Sequence, residues 1–136
     1  MSCNSAIHVA NQTPVEITTT EGDWVQVPLG NAVRCYGRAL RIDGTGIMCF
    51  GPGYFDVTSS IEFTPTAAGL INFQIRQGNT PIQGMTMGIT GVAETTDTIT
   101  LVGMPRNCGE DCNSVLTLWV DNSCTVNDIS TVVKKG

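Results

Sequence analysis

The residues most capable of chemistry are two closely spaced cysteines in the last third of the chain. Cys108 and Cys112 are separated by three residues and enclose Glu110 and Asp111. Thiolates hold zinc, but structural zinc sites favour CxxC spacing and a full tetrahedral ligand set. Two carboxylates in one loop are also few for calcium, which takes many oxygen ligands. We therefore expect no metal, and we interpret the pair as reduced loop thiols or as a disulfide formed after release.

The remaining cysteines leave the redox state open. Cys3, Cys35, Cys49 and Cys124 are spread along the chain, and sequence does not choose among the many pairings of six cysteines. The start of the chain shows neither the basic nor the apolar segment of a secretory signal peptide. We therefore expect reduced thiols, in a protein that stays in the cytosol or leaves on lysis, as phage proteins do.

Catalytic groups are sparse. His8 is the single histidine, and a Ser-His-Asp or Cys-His set would have to use it. It lies far in sequence from Cys108 and Ser114, so we interpret it as an ordinary polar residue. A glycosidase needs an acid and a base facing each other across a cleft, and no pattern pairs the carboxylates of this chain. We predict that the protein is not an enzyme and uses no cofactor.

The composition indicates a single domain with few charged residues and a net negative charge. Of the 136 residues, 14% are charged and the net charge is −5, whereas soluble domains carry about a quarter charged residues. A nucleic-acid surface needs clustered basic residues, and the seven Lys and Arg do not cluster. No stretch approaches the roughly 20 apolar residues of a membrane span. We predict neither nucleic-acid nor membrane partners, and a surface rich in Thr, Ser, Asn, Gln and Gly that suits assembly.

Alternation of apolar and polar residues is the dominant pattern, and it predicts an all-β fold. The clearest strand, over residues 54–63, places Phe55, Val57, Ser59, Ile61 and Phe63 on one face. Further strands are predicted over residues 15–20, 24–28, 40–42, 46–50, 71–76, 82–89, 98–103, 115–120 and 126–133. About eight to ten strands in one chain favour an antiparallel jelly roll of two sheets. Residues 105–113 are predicted to form a loop.

The middle of the chain resembles a known superfamily. The segment GPGYFDV at 51–57 looks like the GxYxV strand of tumour-necrosis-factor-like proteins, which include the globular head of complement. Four later segments are similar to those of small jelly-roll proteins of Gram-positive bacteria and their phages. These segments are FTPTAAG at 63–69, FQIRQGNTPIQG at 73–84, SVLTL at 114–118 and VVKK at 132–135. The resemblance implies a tumour-necrosis-factor-like jelly roll over residues 31–136 that forms a homotrimer. Residues 1–30 match no family and are interpreted as an arm, a candidate anchor, or the first strands of the same unit.

Apolar residues on the polar side of strands are candidates for the subunit interface. Tyr54 and Trp119 point away from the core if Phe55 and Leu118 point into it, and exposed aromatic residues mark interfaces. Met85 and Met87, which replace small residues of the family, complete the predicted interface. The alternative is a sheet with both faces packed. The residues predicted to lie on outward loops are Asp43, Thr45, Asn79, Arg106, Glu110 and Asp111.

Three functions fit these observations. The first is a structural protein of a phage virion, a trimeric capsid decoration or head- or tail-fibre module that binds a capsid or tail protein and a host-surface glycan. The second is a bacterial cell-surface or spore-surface protein of the same fold. The third is a lectin-like module, since a sugar site needs only a few polar and aromatic side chains on loops.

Overall fold

The computed structural model describes residues 5–107 and 113–135, and these residues form strands and turns without a helix. Thirteen strands build two antiparallel sheets. The strands are β1 (Ser5–Asn11), β2 (Val15–Ile17), β3 (Val25–Val27), β4 (Asn31–Tyr36), β5 (Leu40–Asp43), β6 (Gly46–Cys49), β7 (Gly53–Pro65), β8 (Gly69–Gln77), β9 (Thr80–Gly91), β10 (Asp97–Gly103), β11 (Arg106–Asn107), β12 (Ser114–Val120) and β13 (Cys124–Lys135).

The two sheets, here called sheet A and sheet B, pack face to face. Sheet A has the strand order β10-β7-β13-β1-β4, with β11 on β7 and β2 on β13. Sheet B has the order β5-β6-β12-β8-β9, with β3 on β12. Neighbouring strands in both sheets are mostly distant in sequence. This is the arrangement of a jelly roll, as the alternation pattern predicts.

The core lies between the sheets and consists of the inward residues of each strand. On β7 all five residues predicted to point inward are buried, from Phe55 to Phe63. Phe63 of sheet A contacts Phe73 of sheet B, with ring centroids 4.7 Å apart. Ser59 is buried as well, and its hydroxyl forms a 2.9 Å hydrogen bond with that of Thr131. Among the described residues no buried side-chain polar atom lacks a partner, as a well-formed core requires.

The N-terminal residues from Ser5 onward are part of the sandwich. Strand β1 lies between β13 and β4, and its Ile7 and Val9 are buried. Strands β2 and β3 pair with β13 and β12. Residues 5–11 are therefore paired with neighbouring strands on both sides within sheet A.

The assignment of Met85 to the subunit interface is wrong, because Met85 is 0% exposed and belongs to the core. Met85 precedes Met87 and Ile89 by two and four residues, and those two pair with the buried Phe73 and Ile71, so Met85 points to the core side of β9. A bulge adjoins it, since residues 82–85 lie opposite Ile75 alone. Within it Gly84 has a φ of 84°, which glycine adopts without strain. Met85 packs closely against Gly103, where an added Cβ would lie 2.4 Å from the Met85 Cγ. Met87 lies beyond the bulge and is 47% exposed.

The segment predicted as a loop over residues 105–113 also contains a short strand. Arg106 and Asn107 form β11 and pair with Tyr54 and Gly53 of β7. Asn107 is buried and donates from Nδ2 to the carbonyls of Cys49 and Gly51 at 3.1 and 3.0 Å. This side chain thus fixes β11 to the turn that precedes β7.

Candidate interaction surfaces

The middle of the outer face of sheet A carries mostly short side chains, and charged residues lie toward its ends, where the strand register places Asp56 beside Lys134 and Glu62 beside Asp128. Cross-strand registers place Val102, Thr58, Val132, His8 and Arg34 in one row across β10, β7, β13, β1 and β4. The next row consists of Thr100, Ser60, Ser130, Ala10 and Asn31. Most of these side chains are short, whereas the solvated face of an antiparallel sheet usually carries long polar ones. A second surface can approach such a face closely.

Exposed apolar residues surround this face. Tyr36 is 69% exposed, Tyr54 55% and Val102 62%, and all three side chains point away from the core. Beside Tyr36, a depression of about 440 Å³ is lined by Ala6, His8 and Val132 among others. Isolated apolar residues on a surface are normal, but several around one face are typical of an interface.

The outer face of sheet B has a different chemistry. Trp119 of β12 and Trp24, next to β3, are half-buried and both contact the guanidinium group of Arg76 on β8. The Arg76 Cζ lies 4.2 Å from the Trp119 ring centroid and 5.5 Å from that of Trp24. These distances lie within the range of cation–π contacts.

A chain of side-chain hydrogen bonds holds this arrangement. The Arg76 Nε donates to the Gln74 Oε1 at 2.7 Å, and the Gln74 Nε2 donates to the Thr86 hydroxyl at 2.9 Å. The Trp119 Nε1 donates to the Thr117 hydroxyl at 2.8 Å. The orientation of the guanidinium plane is therefore set both by the rings and by a polar partner.

The structure separates two residues that were predicted to share an interface. Tyr54 lies on the outer face of sheet A and Trp119 on that of sheet B. Both point away from the core, since the neighbouring Phe55 and Leu118 are 0% exposed. The outer faces of a two-sheet sandwich point in opposite directions, so Tyr54 and Trp119 of one copy do not lie on the same patch.

The predicted outward residues divide between two places. The turn that carries Asn79 adjoins β11, because the Gln77 Nε2 donates to the carbonyl of Arg106 at 3.0 Å. The turn with Asp43 and Thr45 lies instead beside β3, where the Gln26 Nε2 donates to the Thr45 hydroxyl. Arg106 is exposed and packs over Tyr54 at 5.6 Å. Cys108, Glu110, Asp111 and Cys112 lie outside the described residues.

No metal cluster is found in the part of the chain that the structure describes. Within residues 5–107 and 113–135, no three His, Cys, Asp or Glu side chains could hold a metal ion. The His8 Nε2 forms a 2.9 Å hydrogen bond with the Ser130 hydroxyl on the outer face of sheet A. The thiol of Cys35 donates to the carbonyl of Leu40. Over these same residues, no helix has the length and apolarity to cross a membrane.

Two cysteines are buried, and their thiols are unreactive near neutral pH. Burial raises the pKa of Cys49 to about 12, although Lys135 acts in the opposite direction, and burial raises the pKa of Cys124 to about 12. Both thiols stay protonated near neutral pH, and the thiolate is the reactive form. These cysteines therefore serve as small core residues.

Raised thiol pKa values predict a loss of stability at high pH. The unfolded thiols deprotonate above about pH 9, while the folded thiols keep their protons up to about pH 12. The contribution of the two thiols to the free energy of unfolding is thus fully present below pH 9. It declines as the pH rises toward 12, by about 1.4 kcal/mol per pH unit for each thiol. Urea unfolding in reducing buffer at pH 8 and pH 10.5 measures this loss. The Cys124→Ala variant should lose less over that interval, and an equal loss would contradict the assignment.

Comparison with known proteins identifies the fold. No protein-family model and no curated protein matches the sequence. Murine APRIL, solved at pH 5.0, superposes with a TM-score of 0.68 at 13% identity, over 96% of this chain and 98% of that one. The PRD1 vertex protein P5 superposes with a TM-score of 0.62 at 15% identity, over 96% of this chain and 72% of that one. The globular domain of a zebrafish complement 1qA protein gives a TM-score of 0.51 at 10% identity, over 95% and 93% of the two chains. The chain therefore has the two-sheet jelly-roll fold of tumour-necrosis-factor-like and complement-globular-head-like proteins.

Proposed function

We propose that the chain is a non-enzymatic structural protein of a phage virion, and that it acts as a homotrimer that decorates the capsid or forms part of a head or tail fibre. The outer face of sheet A carries this proposal. The short side chains in its middle and the exposed Tyr36, Tyr54 and Val102 around them suit close contact with further copies of the chain.

A threefold assembly needs two different patches on each subunit, because a ring interface is heterologous. The first patch is the outer face of sheet A. The second is the open edge of the sandwich at β9 and β10, where Met87 is 47% and Met104 is 60% exposed. An apolar edge of one copy can therefore pack against the outer face of sheet A of the next.

The role in a virion is supported by one of the similar structures and by the composition. The PRD1 protein P5, a phage vertex protein, shares the fold over almost the whole of this chain. A charged content of 14% also suits a protein whose surface is largely covered by neighbours. The partner would be a capsid or tail protein of the particle, and the exposed loops and the outer face of sheet B would remain free for adhesion.

Light scattering of the purified full-length chain in reducing buffer tests the assembly. A mass of three chains supports the trimer, and a monomer or a dimer contradicts it. Antibody labelling of purified particles then tests the location. Labelled virions support the decoration or fibre role, whereas labelling confined to the host cell surface would favour the bacterial surface protein.

A further inference from the structure

The cluster of Trp24, Arg76 and Trp119 has no role in the core or in the proposed assembly. Both tryptophans of the chain lie on the outer face of sheet B, opposite the face assigned to subunit contacts. The interior is already closed without them by Leu116, Leu118 and Val120 of β12. Large aromatic side chains on such a face are concentrated where a protein binds something.

The guanidinium group of Arg76 is held in place, but its Nη donors pair with no anionic group of the described residues. Its Nε donates to Gln74, which is itself only 7% exposed. The two indole rings restrict the guanidinium plane. Its Nη groups donate to no carboxylate of the described residues, although the chain has an acidic excess of five charges. An arginine that is held in place with free donors is prepared to bind an anion at low entropic cost.

The guanidinium group of Arg76 suits a carboxylate. A carboxylate is planar and accepts two parallel hydrogen bonds from the edge of a guanidinium group. A phosphate can accept the same pair of hydrogen bonds, so a phosphate probe is part of the test below.

The surroundings favour a saccharide over a protein. Side chains near the cluster present hydroxyl and amide groups, namely Thr117, Thr86 and Gln26. The one exposed large apolar side chain on this face of β8, Leu70, lies at the other end of the strand. A protein interface has an apolar core, whereas a sugar needs polar groups around a few aromatic surfaces.

We propose that the Trp24–Arg76–Trp119 cluster binds a carboxylate-bearing saccharide. The carboxylate pairs with the Nη groups of Arg76, and the sugar hydroxyls contact Thr86, Thr117 and Gln26. This site assigns acidic sugars as the ligand class for the adhesion included in the proposed function. The biological role of the site rests on that proposed function. Its binding chemistry depends neither on the trimer nor on the particle.

Calorimetry and tryptophan emission of the full-length protein test the site with three probes at low ionic strength. The probes are trigalacturonic acid, the neutral trisaccharide maltotriose and a glycerol phosphate trimer. We expect trigalacturonic acid to bind and to change the emission, because both tryptophans lie in the cluster. Arg76→Gln should weaken this binding by roughly tenfold or more through loss of charge-assisted hydrogen bonds.

Arg41→Gln is the matched control, since Arg41 is an exposed arginine on β5 of the same sheet. It should leave the affinity unchanged. The proposal is overturned if maltotriose or the phosphate trimer binds as well as trigalacturonic acid, if no probe binds, or if the two variants behave alike. Light scattering of the same samples separates failure of the site from failure of the proposed assembly. A trimer that binds no acidic sugar contradicts the site but not the assembly.

Discussion

Thr58→Arg is expected to convert the oligomer into single chains that keep the β-sandwich. Thr58 is exposed on the outer face of sheet A, between Val102 and Val132 of the neighbouring strands. In an isolated chain an arginine there reaches water and costs little. In a packed interface it is an unpaired buried charge that costs about 3–5 kcal/mol, which raises the dissociation constant by roughly two to four orders of magnitude. Light scattering over a range of concentrations measures this change, and circular dichroism verifies the fold.

Thr45→Arg provides the matched control for this interface. Thr45 is exposed in the turn between β5 and β6, at the edge of sheet B that lies opposite β9. The substitution is chemically identical, and we expect it to leave the oligomer intact. If Thr45→Arg dissociates the chains while Thr58→Arg does not, the subunits meet through sheet B. That outcome would restore Trp119, rather than Tyr54, to the interface.

Strands with one buried face could be predicted from sequence because burial imposes alternation. The inward residues of β7 and the outward orientation of Trp119 both follow from period two, and the structure confirms both. The same logic fails at β4, where all six residues are exposed and no alternation arises. At β1 the outward residues Ala6, His8 and Ala10 contrast too weakly with Ile7 and Val9.

The position of the candidate site could not be predicted, because it depends on strand order. Trp24, Arg76 and Trp119 meet only because β12 lies between β3 and β8. No local pattern contains this information. The sequence does contain one signal: Trp24 and Gln26 are two residues apart, as are Gln74 and Arg76. Residues two apart point to the same side of a strand, so polar and aromatic residues mark the outward side of both strands. The bulge at residues 82–85 likewise depends on the pairing of β9 with β8 and is invisible in alternation alone.

Phe63→Ala is expected to cause the largest loss of stability among single core substitutions. Phe63 is 0% exposed and packs against Phe73 of the opposite sheet, with the rings tilted by 55°. Removal of the ring breaks a contact that joins the sheets and leaves a cavity that close-packed strands cannot fill. Replacement of a buried Phe by Ala typically costs about 3–5 kcal/mol, a large part of the roughly 5–15 kcal/mol that holds a domain folded.

Urea unfolding followed by tryptophan emission measures this loss, with all proteins at one concentration because assembly adds to apparent stability. The midpoint should fall while the slope stays constant. Phe50→Ala removes the same ring from the half-buried residue that comes directly after β6, and it should cost much less. Phe63→Leu, which refills most of the space, should fall between the two variants. Equal losses for Phe63→Ala and Phe50→Ala would show that the pair formed by Phe63 and Phe73 does not join the sheets, since a residue outside the core would then matter as much as one within it.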